Sequence, residues 1–207
     1  MNIMKIMGKS SFNLSQQNHN LESRIVVALE RISEAFRVLL WTESKDSSLS
    51  PIQIQILIFL LFHSREKCKV SYLSKEFNMT KATISDSVKI LLSKNLITKE
   101  SVLLDTRSYT IALTDAGRQI AEKASFFASA VEKPIEKFSD EQKAVMLNGL
   151  LKVIYELNKS GIITMQRMCF SCIHYNVDKG IHFCNLLNMI LTDTQIRVDC
   201  PEHEKIK

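Results

Sequence analysis

The chain has 207 residues, of which 45% are hydrophobic and 24% charged, and its formal net charge is +5. This ordinary globular composition excludes a largely disordered chain. The low counts of 5 glycines and 3 prolines exclude collagen-like and low-complexity classes. Because helix breakers are few and helix-forming residues abundant, we expect a mainly α protein.

The positive charge is concentrated in the middle of the chain. Residues 1–63 have 6 basic and 5 acidic side chains, residues 64–113 have 9 and 5, and residues 114–207 have 12 of each. A local basic surface attracts polyanions, because bound Lys and Arg side chains release counterions from a phosphate backbone. The middle segment is therefore a candidate nucleic-acid-binding region, and an ordinary solvated surface rich in lysine is the alternative.

The first third of the chain predicts an irregular, mobile N-terminal tail over residues 1–20, followed by two helices. Apolar residues recur at helical spacing over residues 21–40, so we expect one amphipathic helix there. A second helix is predicted from Pro51 to about His63. Because it is apolar nearly all round, it should lie in the middle of the core.

The middle of the chain predicts a helix-turn-helix. A short helix over residues 71–77 is followed by a turn at Asn78 and by a second helix, Lys81–Lys94, with Thr80 as its N-cap. One apolar stripe of the second helix should be buried (Ile84, Val88 and Leu91). Its opposite face has small, polar or cationic side chains (Lys81, Thr83, Ser85, Asp86 and Lys89).

A β-hairpin and long helices should follow. Period-2 patterns over residues 97–102 and 108–113 predict two strands. One helix is then expected from Thr114 to about Phe138, kinked or interrupted at Pro134. The last long helix should begin after Ser139, which has capping-box spacing, and end at Gly161, with one apolar face (Leu147, Leu150, Leu151, Ile154 and Leu157).

Two stretches of this region carry a family resemblance. Residues 73–97 contain the helix-turn-helix pattern, and residues 105–117 read Asp-Thr-Arg, a strand, then Leu-Thr-Asp-Ala-Gly. Over residues 21–161 the chain resembles the MarR family of bacterial transcription regulators, whose wing signature the second stretch matches. Asn95 stands where that family usually has Gly, and Asn tolerates the same left-handed backbone region.

The resemblance implies a mainly α, α+β winged helix with long dimerisation helices. It implies a sequence-specific regulator, expected to be a repressor, that binds double-stranded DNA as a homodimer. The first amphipathic helix and the last two helices would supply the dimer interface. An effector pocket is expected between the dimerisation and DNA-binding parts, although the sequence does not identify the effector.

The candidate DNA contacts follow from the groove geometry. The helix 81–94 should enter the major groove, with Lys81, Thr83 and Ser85 contacting base edges or phosphates and Lys89 contacting a phosphate. Asp86 should either accept from a cytosine amino group or pair with a neighbouring cation. At the wing, Arg107 suits the minor groove and Asp105 should orient its guanidinium.

The last segment, residues 162–207, lies outside the resemblance and contains four clustered cysteines: Cys169, Cys172, Cys184 and Cys200. The two-residue gap puts the first two thiols on one turn, and four thiolates complete a tetrahedral shell. A structural zinc site is the leading interpretation. The alternatives are an iron–sulfur cluster, thiol redox sensing without metal, and unligated cysteines. Nearby histidines are alternative ligands (His174, His182 and His203).

Several classes of function and location are disfavoured. The longest apolar run in the first half, Ile56–Phe62, is too short to span a membrane. The N-terminus also lacks the apolar core of a secretory signal, so we expect a reducing, cytoplasmic location, with Cys68 packing as a small apolar residue. No phosphate loop, nucleophile elbow or zinc-protease motif occurs, so we do not expect an enzyme. A metal-containing enzyme or a protein-interaction module is the weaker alternative.

Overall fold

The computed structural model describes residues 10–102 and 105–206, except for the side chains of Gln16 and of residues 101–108. Its elements are mostly helices, accompanied by a two-stranded and a three-stranded antiparallel sheet. This architecture confirms the predicted mainly α, α+β winged-helix class.

Within residues 10–96, five α-helices precede the first strand. The first lies in the segment predicted to be irregular, and that prediction is corrected for residues 14–19: the Asn13 side chain accepts a hydrogen bond from the Ser15 N–H at 3.0 Å and caps a regular helix. The second helix extends beyond the apolar pattern of residues 21–40 and ends at Ser47. The bounds are α1 Leu14–His19, α2 Leu21–Ser47, α3 Pro51–Phe62, α4 Val70–Glu76 and α5 Lys81–Ser93.

The helix α3 is the centre of the main core, as its all-round apolar pattern predicts. Ile54, Ile56 and Leu57 are completely buried. The helix begins at Ser50, which forms a reciprocal capping box with Gln53, and neighbouring elements α2, α5, α6 and β2 pack around it. The helix-turn-helix region therefore packs against an element whose core side chains are shielded from solvent.

The wing is one antiparallel hairpin, β1 (Ile97–Val102) and β2 (Asp105–Leu113), in which Ile97 pairs with Leu113. The second strand begins three residues before the predicted start, so the strands extend further toward the tip. Asn95 adopts the expected left-handed conformation, with φ 54°. The Ile111 N–H donates to the Cys68 carbonyl at 2.9 Å, which fastens β2 to the chain just before α4.

The helices after the wing are α6 (Asp115–Ala124), α7 (Ser129–Glu136) and α8 (Asp140–Lys159). The predicted single helix to Phe138 is wrong, because the chain leaves the helix before α7, whereas Pro134 lies inside α7. At this break Phe127 packs edge-on against Phe36 of α2, with ring centroids 6.2 Å apart. The break between α6 and α7 therefore coincides with packing against α2 and not with Pro134.

We call residues 162–206 the cysteine unit. It contains a sheet of three short strands in the order β3 (Tyr175–Asp178), β4 (Ile181–Cys184) and β5 (Met189–Leu191). A second, smaller core joins this unit to α8; its buried members are Leu151, Met168, Cys169, Leu191 and Ile196. The apolar face of α8 that we assigned to dimerisation thus packs partly on the cysteine unit. Among the described helices, none is both long and apolar enough to span a membrane.

Candidate nucleic-acid interface

The helix α5 has one buried and one exposed face, as its sequence pattern predicts. Ile84, Val88 and Leu91 are at most 1% exposed and belong to the main core. Their burial fixes the rotation of the helix about its own axis. The polar face, which includes Lys81 and Asp86, is therefore presented to solvent.

The N-terminal turn of α5 is held by a threonine pair. Thr80 accepts a hydrogen bond from the Thr83 N–H at 3.1 Å, and the two hydroxyls lie 2.8 Å apart. The Thr83 hydroxyl is therefore engaged with the cap, while Ser85 is half-buried. Lys81 is exposed at the start of the helix, where the partial positive charge of the helix end adds to its own.

Asp86 and Lys89 form an ion pair one turn apart. The Lys89 Nζ donates to the Asp86 Oδ1 at 2.9 Å, and both side chains are about 70% exposed. This geometry matches one of the two roles expected for Asp86, pairing with a neighbouring cation. An exposed pair of this kind is worth less than about 1 kcal/mol, so Lys89 can exchange its partner for a phosphate at little cost.

The predicted wing residues Asp105 and Arg107 lie outside the described side chains, so their pairing and the minor-groove contact stay predictions. The base of the wing is described. Arg65 forms a 2.9 Å ion pair with Glu100 and donates from Nε to the Thr110 hydroxyl at 3.2 Å. The sequence analysis did not identify Arg65, whose partners are more than thirty positions away. These bonds hold the hairpin against the short turn that precedes α4.

The Leu-Thr-Asp-Ala-Gly stretch joins the end of the wing to the end of α5. Thr114 caps α6 by accepting from the Gly117 N–H at 3.1 Å, and its hydroxyl donates to the Asn95 carbonyl at 2.8 Å. The Thr114 N–H donates to the Leu96 carbonyl at 3.1 Å. A Cβ at Gly117 would overlap that same Leu96 carbonyl oxygen, so only glycine allows this approach. The Leu-Thr-Asp-Ala-Gly stretch therefore fixes the position of the wing relative to the end of α5.

All five cysteines are free thiols. Cys68 is buried in the main core, and burial raises the pKa of its thiol to about 11, which agrees with the expected packing as a small apolar residue. The other four line one cavity. Within the described residues, no three His, Cys, Asp or Glu side chains are already arranged to hold a metal ion. The metal site therefore stays a prediction.

The three neighbouring histidines have other partners. His174 pairs with Glu204 at 3.2 Å, and the His203 Nε2 lies 3.0 Å from the Ser171 hydroxyl. His182 bonds the Tyr175 hydroxyl. These contacts favour the thiols over the imidazoles as the candidate ligands in this segment.

A buried ion-pair cluster at Arg167 connects the cysteine unit to α4, and the sequence analysis missed it. The guanidinium donates to Asp199 at 2.6 and 2.5 Å and to Glu76 at 2.5 and 3.1 Å. It also donates to the Tyr72 hydroxyl at 3.0 Å. Burial opposes its charge, but the hydrogen bonds to the two carboxylates outweigh that and raise the pKa of Arg167.

The described elements define a winged helix-turn-helix protein. Residues 47–108, which span α3 to the wing, match the MarR family model. Among solved structures, FabT of Streptococcus pneumoniae in complex with DNA is 27% identical, with 67% of this chain and 98% of FabT covered and a TM-score of 0.56.

Two further structures share the fold at lower identity. The Staphylococcus aureus MepR–DNA complex is 22% identical, covering 64% of this chain and 97% of MepR with a TM-score of 0.56. A MarR transcriptional regulator from Methanosarcina mazei Go1 is 20% identical, covering 67% of this chain and 99% of that regulator with a TM-score of 0.52. No curated protein matches the chain. The chain thus shares the winged-helix fold of these structures, and its residues 47–108 are similar to the MarR family.

Proposed function

We propose that the protein is a sequence-specific regulator of transcription that binds double-stranded DNA through α5 and the wing. The observation that carries the proposal is the polar, solvent-facing side of α5, fixed in orientation by the three buried residues opposite it. A major groove about 12 Å wide admits one such helix. The FabT and MepR structures in complex with DNA, which share this fold, support the same use of it.

The described geometry refines the contacts proposed for α5. Lys81 is the leading phosphate or base-edge contact, because it is exposed at the first turn, where the N-terminal residues of a recognition helix meet the bases. Ser85 is half-buried, and the Thr83 hydroxyl already bonds the Thr80 hydroxyl. Each can therefore contact only DNA atoms that lie directly against the helix. Lys89 reaches a phosphate after releasing Asp86. Arg107 would bind in the minor groove, oriented by Asp105.

A homodimer is the proposed binding unit. The helix α2 presents a stripe of large apolar side chains that are 38–61% exposed in a single chain: Leu21, Ile25, Ile32 and Phe36. A second copy would cover this stripe, since contiguous exposed apolar surface marks an interaction site. Two recognition helices about one DNA turn apart would then contact both halves of a palindromic site, which suits a repressor that competes for a promoter.

An effector could bind in an open cavity of about 540 Å³ between α2, α3 and α7. Its lining includes Phe36, Phe62, Phe126 and Ile135, which suits an apolar small molecule. Because the cavity adjoins both α2 and the break before α7, an occupant would alter the proposed dimer surface. We propose that the protein acts through such binding events and not as a catalyst.

The test is a fluorescence-anisotropy titration with the promoter region beside the protein's own gene and with a shuffled duplex of equal length. We expect tighter binding to the promoter. Lys81→Ala should weaken binding and flatten its salt dependence, because each phosphate contact contributes about −0.9 to the slope of log K against log salt. Lys152→Ala, which removes an exposed lysine from α8, is the matched control. Equal binding of wild-type protein to both duplexes would contradict the proposal.

A further inference from the structure

The cysteine unit brings four thiols from separate parts of the chain to one small cavity. Cys169, Cys172, Cys184 and Cys200 all line this space, whose volume is about 30 Å³. The four sulfurs therefore face one common space.

Local backbone structure places each thiol. Cys169 and Cys172 lie on one turn, in which the Cys172 N–H donates to the Cys169 carbonyl at 2.9 Å. Cys184 is the last residue of β4. The Cys200 N–H donates to the Arg167 carbonyl at 2.9 Å. The four positions are therefore fixed by hydrogen-bonded backbone rather than by loose loops.

Two N–H donors lie next to the sulfurs. The Arg197 N–H donates to the Cys169 Sγ at 3.2 Å, and the Arg197 guanidinium donates to the Cys200 Sγ at 3.4 Å. Both bonds favour a negatively charged sulfur, against the burial that raises the pKa of the Cys169 thiol. Leucine side chains, including Leu187 and Leu191, form part of the wall. The cavity thus combines soft ligands, N–H donors and a partly apolar wall.

We propose that this cavity binds one Zn²⁺ ion through the four cysteine sulfurs. Each S–H group gives its proton to the solvent, four Zn–S bonds form, and nothing is oxidised or reduced. Zinc prefers such a closed tetrahedral shell in structural sites. The bound site has two excess negative charges, which the adjacent Arg197 guanidinium partly offsets.

Metal analysis of the full chain, purified without oxygen, tests the site. We expect one zinc per chain in the wild type and in the Cys68→Ser control, whose cysteine lies in the other core, and a loss of zinc in Cys172→Ser. Wild-type protein reloaded with Co²⁺ should show the intense visible bands of tetrahedral cobalt–thiolate coordination, a readout that needs no variant. Protein without metal, or with iron and sulfide instead of zinc, would overturn the proposal.

A second inference stands on the Arg167 cluster. The Arg167 side chain is only 7% exposed. It joins Asp199 of the cysteine unit to Glu76 at the end of α4. Asp199 is the immediate neighbour of Cys200 in the chain. Two further bonds dock the same surface: Thr164 donates to the Lys75 carbonyl at 2.6 Å, and Asn78 donates to the Ile162 carbonyl at 3.3 Å.

We infer that the state of the cysteine site controls the position of α4, and through it the recognition helix that packs on α4. The Cys200 N–H donates to the Arg167 carbonyl, so a movement of Cys200 displaces Arg167. A displaced Arg167 no longer donates to Glu76, which leaves that carboxylate without this partner. Allosteric coupling requires two sites joined by such a contact network. The effect of the cysteine site on α4 does not depend on the proposed function. Only the resulting change in DNA binding rests on it.

The mechanical step is tested by hydrogen exchange with and without a zinc chelator. Chelation should speed exchange at amides of residues 70–79 in wild-type protein. Arg167→Gln should show the fast exchange already with zinc bound, whereas Arg118→Gln, an exposed arginine on α6, should behave as wild type. Unchanged exchange over residues 70–79 after confirmed zinc loss would overturn the coupling. A change there without any change in promoter affinity would confine the coupling to α4 and contradict its effect on the recognition helix, whereas failure of wild-type protein to prefer the promoter would contradict the proposed function.

Discussion

In the winged helix, α3 supplies a row of completely buried side chains such as Ile54 and Leu57, and four other elements pack around it. The cysteine unit buries few apolar side chains of its own and borrows Leu151 from α8 to complete its core. A unit this small gains little from hydrophobic burial alone. One chain thus combines a winged helix that has a large core with a small segment that needs further stabilising interactions.

Two interactions can stabilise the cysteine unit: the Arg167 ion-pair cluster and the proposed zinc site. A buried ion pair is a weak source of net stability, although removing one partner costs about 3–5 kcal/mol in fully buried cases. The cluster therefore specifies where the unit docks more than how stable it is. The proposed metal ligation would be the larger contribution, because structural zinc binding is coupled directly to folding.

Removal of zinc should have the largest effect and should separate the two regions. Structural zinc contributes about 10–16 kcal/mol in small zinc-dependent peptides, so its loss should unfold most of the cysteine unit. The winged helix should persist, because its core contains no proposed ligand. Limited proteolysis with mass spectrometry measures this: cleavage after chelation should fall within residues 165–200. Cleavage that begins equally early in α3 would contradict the claim that the core of the winged helix stays folded without zinc.

The sequence predicted what depends on periodicity and on local caps. The buried stripe of α5, the left-handed Asn95 and the capping box at Ser139 all follow from neighbouring residues. Arg167 could not be identified in this way, since its partners Glu76 and Tyr72 lie 91 and 95 positions away. When the partners of a charged side chain lie far away in sequence, its neighbours in the chain do not show that it will be buried.

The helix break before α7 escaped prediction for the same reason. It coincides with the contact between Phe127 and Phe36, which lie in separate elements far apart in sequence. Pro134 offered a local explanation, but the helix tolerates it. The gathering of the four cysteines at one cavity also depends on the β3–β4–β5 sheet, which the sequence analysis did not predict.

Gly117→Ala should have an intermediate effect, confined to the winged helix. The new methyl group would overlap the Leu96 carbonyl oxygen, so the junction of wing and α5 must shift. We expect a loss of about 1–3 kcal/mol in the free energy of unfolding. Gly149→Ala on α8 is the opposite control, since open space surrounds that position and helix propensity predicts a gain of about 0.5–1 kcal/mol. Denaturant titrations of both variants measure the difference.

Asp86→Ala should have the smallest effect, on DNA affinity alone. The substitution frees Lys89 and removes a negative charge from the surface that would face phosphates. We expect binding about two- to fivefold tighter, the scale of an exposed ion pair. Asp140→Ala breaks a similar pair with Lys143 on α8 and should leave affinity unchanged. Weaker binding by Asp86→Ala would assign this carboxylate a base contact instead.

The most direct test asks which of the two regions contacts DNA. Amide chemical shifts of the zinc-loaded protein can be followed by NMR during titration with the promoter duplex. The account predicts that the first and largest changes occur over residues 80–94 and along the wing strands. Amides of the cysteine unit should change only near the docking surface at residues 162–167. Large changes centred on the four cysteines, with α5 unaffected, would contradict the assignment of DNA binding to the winged helix.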